Sequence, residues 1–104
     1  MYRAFGWFIP RNPFYKGEKM EYIIFVFRSR SDSVGFSEIL AARGIRNALI
    51  NTPKEAKVGC GLSVEIAKDD YGRAVRVIRN LRRVPPYAVF LLKRTVRGRE
   101  IRRI

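Results

Sequence analysis

The side chain in this sequence best equipped for covalent chemistry is Cys60, which lies between Gly59 and Gly61. Glycine lets the backbone adopt unusual angles and leaves a neighbouring thiol unscreened. Lys54 and Lys57 are close in sequence, and a nearby ammonium group favours the thiolate, the nucleophilic form of cysteine. We therefore predict a partly exposed Cys60 whose thiolate is stabilised by these lysines or by backbone N–H groups. The alternative is a small buried cysteine, with the two glycines only forming a turn.

Histidine is absent from the sequence, and this excludes several kinds of site. No Ser-His-Asp or Cys-His pair can form within the chain, so no internal base can activate the cysteine. A single cysteine without histidine cannot supply the ligands of an ordinary zinc site, and we expect neither a metal nor a bound cofactor. A lone thiol favours a reducing, cytoplasmic location. We expect no membrane span, because no apolar run approaches the length of about 20 residues that one needs.

The chain is strongly basic, with 22 Lys and Arg residues against 9 Asp and Glu residues and a net charge of +13. Such a charge favours an anionic partner, either nucleic acid or an acidic protein. Four arginines lie on one side of a predicted helix, and we predict that they dock a partner: Arg73, Arg76, Arg79 and Arg83. The alternative is that they only form a solvated face. The third predicted strand lacks aromatic residues, so RNA binding through the sheet is weakly supported.

The elements that position Cys60 follow from the hydrophobic pattern. A β-branched and aromatic run predicts the first strand, and alternating apolar and polar residues predict a third strand with one apolar face. Apolar stripes at helical spacing predict two helices, the first capped by Ser31 or Asp32. The order β-α-β-β-α-β is typical of a ferredoxin-like α+β domain, with a four-stranded antiparallel sheet and both helices on one face. The predicted strands cover residues 22–27, 47–51, 62–66 and 87–92.

Both ends of the chain lack this regular pattern. Residues 1–20 are expected to be an extension, which either lies upstream of a natural start at Met20 or covers a sheet face with its aromatic residues. Residues 94–104 form a basic tail that either extends the last strand or is mobile. The core of the domain between them is expected to contain Phe25, Phe27, Ile39, Leu40, Leu49, Val64, Val75, Ile78 and Val89.

Several segments resemble a family of small bacterial domains, the selenium/sulfur carrier proteins, which are also found fused to TusA/SirA-like sulfur-carrier domains. The resemblance covers about residues 21–93, and its most specific segment runs from Thr52-Pro53-Lys54 to Val58-Gly59-Cys60-Gly61-Leu62. Ser31-Asp32-Ser33 and Ala41-Ala42-Arg43-Gly44-Ile45 also resemble the family. In the family the residue after the proline is usually arginine. Lys54 keeps the charge but lacks the planar fork that binds an anion through two hydrogen bonds.

What the resemblance implies is a carrier rather than a self-sufficient enzyme. A cysteine desulfurase or a selenocysteine lyase would load sulfur or selenium onto Cys60 as a persulfide or selenopersulfide, and an acceptor enzyme would receive it. The alternative is a small basic binding module for nucleic acid or an acidic protein, with a structural Cys60. A redox or metallochaperone role is disfavoured because the chain has no second cysteine to resolve a disulfide or to bind a metal.

Overall fold

Two helices and five antiparallel strands form the part of the chain that the computed structural model describes, residues 20–56, 59–81 and 85–104. This confirms the predicted α+β class. The elements are β1 (Met20–Val26), α1 (Arg30–Ala42), β2 (Ala48–Asn51), β3 (Leu62–Ala67), α2 (Tyr71–Asn80), β4 (Ala88–Thr95) and β5 (Gly98–Arg103), with a 3-10 turn (Lys68–Asp70) before α2. No helix within these described ranges is both long and apolar enough to cross a membrane.

The strand order in the sheet is β2-β3-β1-β4-β5, with β1 at the centre. β1 pairs with β3 from Tyr22 opposite Ala67 to Val26 opposite Ser63, so these two strands are neighbours in the sheet. The predicted count of four strands is wrong. The basic tail does not end as loose chain, because it turns back after Thr95 and its residues pair with β4 as the edge strand β5.

Both helices contribute to one apolar cluster on a single face of the sheet. Phe25 of β1 makes an edge-to-face contact with Phe36 of α1, with ring centroids 5.2 Å apart. α2 buries Ala74 and Val77 in this cluster, whereas the predicted core residue Val75 lies outside it. The side chains of α2 that face the sheet recur at i, i+3 and i+7 spacing, and Val75 does not fall on this spacing. The other predicted core residues belong to the cluster or pack against it.

The opposite face of the sheet is buried as well. Ile24, Val26 and Leu92 are each at most 1% exposed, and they form a second apolar cluster that includes Ala56 of the β2–β3 loop. The prediction that β3 has only one buried face is therefore wrong, because Ser63, which alternates with the apolar residues of β3, is also fully buried. The suggested start at Met20 and the suggested cover of a sheet face concern residues 1–19, which lie outside the described residues.

Candidate functional site

Cys60 lies where the end of β1, the start of α1 and the loop before β3 meet. Because β1 and β3 are antiparallel neighbours, the end of β1 lies beside the beginning of β3. The Cys60 N–H donates to the carbonyl of Phe27, just after β1, at 3.1 Å. The base of the loop is closed where the Thr52 N–H donates to the Gly61 carbonyl at 2.9 Å. Cys60 is therefore half-buried on a loop that the sheet holds in place.

The sulfur of Cys60 contacts a buried hydroxyl. Its thiol donates to the carbonyl of Leu62 at 3.5 Å, and its Sγ lies 3.9 Å from the Oγ of Ser33. Ser33 is fully buried, and its hydroxyl donates to the same Leu62 carbonyl at 2.8 Å. The thiol and the hydroxyl thus share one acceptor. When the thiol loses its proton it stops donating to this carbonyl, and the neighbouring hydroxyl is placed to donate to the sulfur instead.

The first turn of α1 lies beside the sulfur. Ser29 is the N-cap of this helix, with its Oγ accepting from the Asp32 N–H at 3.1 Å. The predicted caps Ser31 and Asp32 are wrong, because both residues already lie inside the first turn. Ser33, which contacts Cys60, is in the same stretch of helix.

The two glycines that flank Cys60 have different structural requirements. Both adopt positive φ angles, +82° at Gly59 and +94° at Gly61, a region that side chains with a Cβ enter at a cost. A Cβ at Gly59 would clash with Cγ1 of Val26 and lie 2.8 Å from the carbonyl oxygen of Phe27, whereas a Cβ at Gly61 would meet nothing within 4 Å. Gly59 is thus needed for its backbone angle and its small size, and Gly61 for its backbone angle alone.

The predicted lysines are not seen in contact with the sulfur. Lys54 is exposed on the loop, and no hydrogen bond or ion pair between Lys54 and Cys60 is present among the described residues; Lys57 lies outside them. Stabilisation of the thiolate by these lysines therefore stays a prediction. The same loop carries Glu55, whose pKa is lowered by a hydrogen bond from its own backbone and then by Arg99, with an N–O distance of 3.1 Å.

One end of the arginine strip on α2 lies far from the thiol. Arg73, Arg76 and Arg79 are exposed, while Arg83 lies outside the described residues. Arg73 donates to the carbonyl of Arg43, which follows the last residue of α1. Because α1 has 13 residues, its ends are about 20 Å apart, and Arg73 lies at the end opposite the thiol. The docking role of the α2 arginines stays a prediction.

Three residues at this end of the sheet were not predicted as part of the site from the sequence: Ser33, Arg28 and Tyr87. Tyr87, which is 41% exposed, donates its N–H to the carbonyl of Val26 at 2.7 Å. The guanidinium carbon of Arg28 lies 4.3 Å from the centre of the Tyr87 ring. The predicted antiparallel sheet was the available signal, because the end of one strand and the start of its antiparallel neighbour lie at the same end of a sheet.

No group of three or more His, Cys, Asp or Glu side chains that could hold a metal ion occurs in the part of the chain that the structure describes. Residues 21–89 match the family described as "Putative Se/S carrier protein-like". The match runs from β1 into β4 and includes the whole loop of Cys60. No curated protein and no solved structure matches the chain. Since the family match covers more than half of the sequence, this chain belongs to the Se/S carrier protein-like family.

Proposed function

We propose that the protein carries sulfur or selenium on Cys60, as a persulfide or selenopersulfide, from a donor enzyme to an acceptor enzyme. The observation that carries the proposal is a half-buried thiol held against the first turn of α1, in a loop that the family match includes. The donor would be a cysteine desulfurase or a selenocysteine lyase. The carrier itself would need no cofactor, because the donor enzyme generates the transferable atom.

Loading follows the chemistry of thiol exchange. The thiolate of Cys60 attacks the terminal sulfur of a persulfide on the donor, so that a new S–S bond forms at Cys60 while the S–S bond on the donor breaks. The donor cysteine leaves as a thiolate, and the terminal sulfur moves with its proton, so no oxidant is consumed. A terminal selenium atom would follow the same course. In delivery, a nucleophile of the acceptor attacks the terminal atom and Cys60 leaves as the thiolate.

The surroundings of the sulfur support both half-reactions. The first turn of α1 favours the thiolate that attacks during loading and the thiolate that leaves during delivery. The hydroxyl of Ser33, 3.9 Å from Sγ, is placed to donate to either one. In this proposal Lys54 and Lys57 add positive charge to the loop. A carrier thiol must also stay reduced between transfers, so the proposal includes a reducing, cytoplasmic compartment.

The test is the intact mass of the protein after incubation with a cysteine desulfurase and cysteine, or with a selenocysteine lyase and selenocysteine. We expect the wild type to gain one sulfur or one selenium atom, and we expect a thiol reductant to remove it. Cys60→Ser is the matched control because it keeps the size of the side chain and its hydrogen bond to the Leu62 carbonyl. Equal loading of the serine variant, or no loading from either donor, would contradict the proposal.

A basic binding module is the second candidate, and the β4–β5 hairpin favours it. This hairpin carries five exposed arginines, namely Arg94, Arg97, Arg99, Arg102 and Arg103. Exposed arginines can contact a phosphate backbone, and such binding should weaken steeply as salt rises. Titration of a single-stranded oligonucleotide at two salt concentrations separates the candidates. Tight, salt-sensitive binding without loading of Cys60 would favour the module, in which Cys60 is structural.

We further propose that the unit from β1 to β4 is a ferredoxin-like domain to which β5 adds an edge strand. The order β2-β3-β1-β4 within the sheet supports this classification, as does the packing of both helices against one face. The classification matters for the site because it explains why a loop between β2 and β3 meets the start of α1. In such an arrangement the β1–α1 junction and the β2–β3 loop lie at the same end of the sheet.

A further inference from the structure

Two successive carbonyls at the end of β1 hold Cys60 and Tyr87 on either side of this strand. The carbonyl of Val26 accepts from the Tyr87 N–H at 2.7 Å, and the carbonyl of Phe27 accepts from the Cys60 N–H at 3.1 Å. Successive carbonyls of a strand point in opposite directions, so the two backbones are about two strand spacings apart, roughly 10 Å. Arg28 follows next in the chain and covers one face of the Tyr87 ring.

The positive charge at this end of the sheet is not neutralised within the described residues. Arg28 and Arg30 are exposed, and neither forms an ion pair with a carboxylate there. Arg99, by contrast, is paired with Glu55 on the loop that also carries Cys60. Asp32, in the first turn of α1, is the acidic residue nearest to these two arginines along the chain, and it leaves a net positive charge beside the thiol. This surface therefore favours a negatively charged partner.

We propose that Arg28, Arg30 and Tyr87, here called the thiol-end rim, dock an acidic face of a partner protein around Cys60. The inference rests on the proposed function, since it names the surface through which a donor or acceptor would reach the sulfur. Arginine and tyrosine are the residue types that most often dominate binding energy at protein interfaces. The exposed ring of Tyr87, held by the guanidinium of Arg28, provides a rigid apolar contact beside two cations that attract carboxylates.

A nucleic acid fits the thiol-end rim less well than an acidic protein does. A base stacks on an open aromatic face, and Arg28 leaves only one face of the Tyr87 ring for such a contact. The rim is also a compact site around one thiol with two arginines, whereas phosphate tracking uses a larger number of cations, such as those of the β4–β5 hairpin. The thiol-end rim also differs from the predicted docking strip on α2, because Arg73 of that strip lies at the opposite end of α1.

The rim can be tested without knowing the partner. The probes are two synthetic decapeptides that each carry one cysteine activated as a nitropyridyl disulfide, one peptide rich in glutamate and the other with glutamine at the same positions. The Cys60 thiolate attacks the peptide sulfur, so that a mixed disulfide forms and the nitropyridine thiolate leaves. We expect the acidic peptide to react roughly tenfold faster than the neutral peptide at low ionic strength, and this preference should shrink in high salt.

Variants locate the origin of this preference. Arg28→Gln and Arg30→Gln should each reduce the rate ratio of the two peptides severalfold. Arg46→Gln is the matched control, because it removes the same charge from an exposed residue at the opposite end of α1, and it should leave the ratio unchanged. Arg76→Gln tests the alternative strip on α2. Tyr87→Ala should slow the acidic peptide in high salt as well, because its contribution is apolar contact rather than charge.

The outcomes separate the rim from the proposed function. A rate ratio near one in the wild type would overturn the rim, as would an equal loss in Arg46→Gln or Arg76→Gln. A second assay compares how strongly a dodecameric thymidine oligonucleotide and a dodecameric glutamate peptide slow the alkylation of Cys60 by iodoacetamide. Stronger protection by the oligonucleotide would also overturn the rim and would favour nucleic acid as the partner. Full enzymatic loading in the Arg28→Gln, Arg30→Gln double variant would overturn the rim while leaving the carrier function intact. A strong peptide preference in a protein that no donor enzyme loads would support the rim and overturn the carrier function.

Discussion

Alanine substitution of the two glycines beside Cys60 separates backbone strain from lack of space. In Gly61→Ala the new methyl group meets nothing within 4 Å, so only the positive φ angle of +94° is unfavourable. A left-handed backbone angle costs a residue with a Cβ about 1–2 kcal/mol. In Gly59→Ala the same cost applies, and the methyl group also presses against Val26 and the carbonyl of Phe27, 2.8 Å away. Overpacking of a buried site adds about 1–3 kcal/mol.

We therefore expect Gly61→Ala to lower the free energy of unfolding by about 1–2 kcal/mol and Gly59→Ala to lower it by about 2–5 kcal/mol. The difference is hard to relieve, because Val26 is 0% exposed in the core and the other contact is with backbone. Urea unfolding monitored by far-ultraviolet circular dichroism measures both values. Equal losses in the two variants, or a larger loss in Gly61→Ala, would refute the steric reasoning.

The same pair of variants reports on the thiol. The N–H of Cys60 donates to the Phe27 carbonyl that an alanine at position 59 would press against. Gly59→Ala should therefore displace Cys60 and change its rate of alkylation by iodoacetamide under native conditions, whereas Gly61→Ala should leave this rate close to that of the wild type. A normal alkylation rate in a folded Gly59→Ala protein would show that the Phe27 contact does not position the thiol.

Two further predictions concern contacts around the loop. Ser33→Ala removes a fully buried hydroxyl that donates to the Leu62 carbonyl at 2.8 Å. We therefore expect the free energy of unfolding in urea to fall by about 1–2 kcal/mol, and we expect slower alkylation of Cys60 at neutral pH. If both quantities stayed at their wild-type values, the proposed contact would be contradicted. Arg99→Gln should raise the pKa of Glu55, because the guanidinium helps to hold that pKa below its ordinary value, and carboxyl NMR titration measures the shift. Because folding lowers the pKa of Glu55, this carboxylate stabilises the fold above its unfolded pKa, and the stabilisation disappears as the pH falls through its folded pKa. Arg99→Gln makes the pKa difference smaller, so this variant should lose less stability in acid than the wild type.

The elements with the strongest hydrophobic pattern could be predicted from the sequence. The runs that became β1, β3 and β4 were all identified, and so were both helices. β5 was missed because its segment is rich in arginine, with Ile101 as its one partly buried residue, so it has the composition of a solvated tail. Its pairing depends on β4 continuing to Thr95 and on the local turn that follows, in which the Arg97 N–H donates to the Thr95 hydroxyl and Gly98 adopts a positive φ angle.

The candidate site was predicted in part, because sequence neighbours were visible and spatial neighbours were not. The loop and its glycines could be identified from residues adjacent to Cys60. Ser33, in contrast, is 27 residues away along the chain, and Tyr87 is at a similar distance on the other side. The sequence did not distinguish the helix cap, because Ser29, Ser31 and Asp32 are all good capping residues. The position at which β1 ends determines which of them caps α1.

The edge strand β5 has a consequence for the site, although it lies beyond the family match, which ends at residue 89. β4 continues past this point and pairs with β1 as far as Arg94 opposite Met20, so the folded domain is larger than the matched segment. From β5, Arg99 reaches Glu55 on the loop that also carries Cys60. The loop is thus held by β1 through Phe27 and by β5 through Arg99. A partner that binds Arg99 would compete with Glu55 for its guanidinium and would release one contact of the loop that carries Cys60.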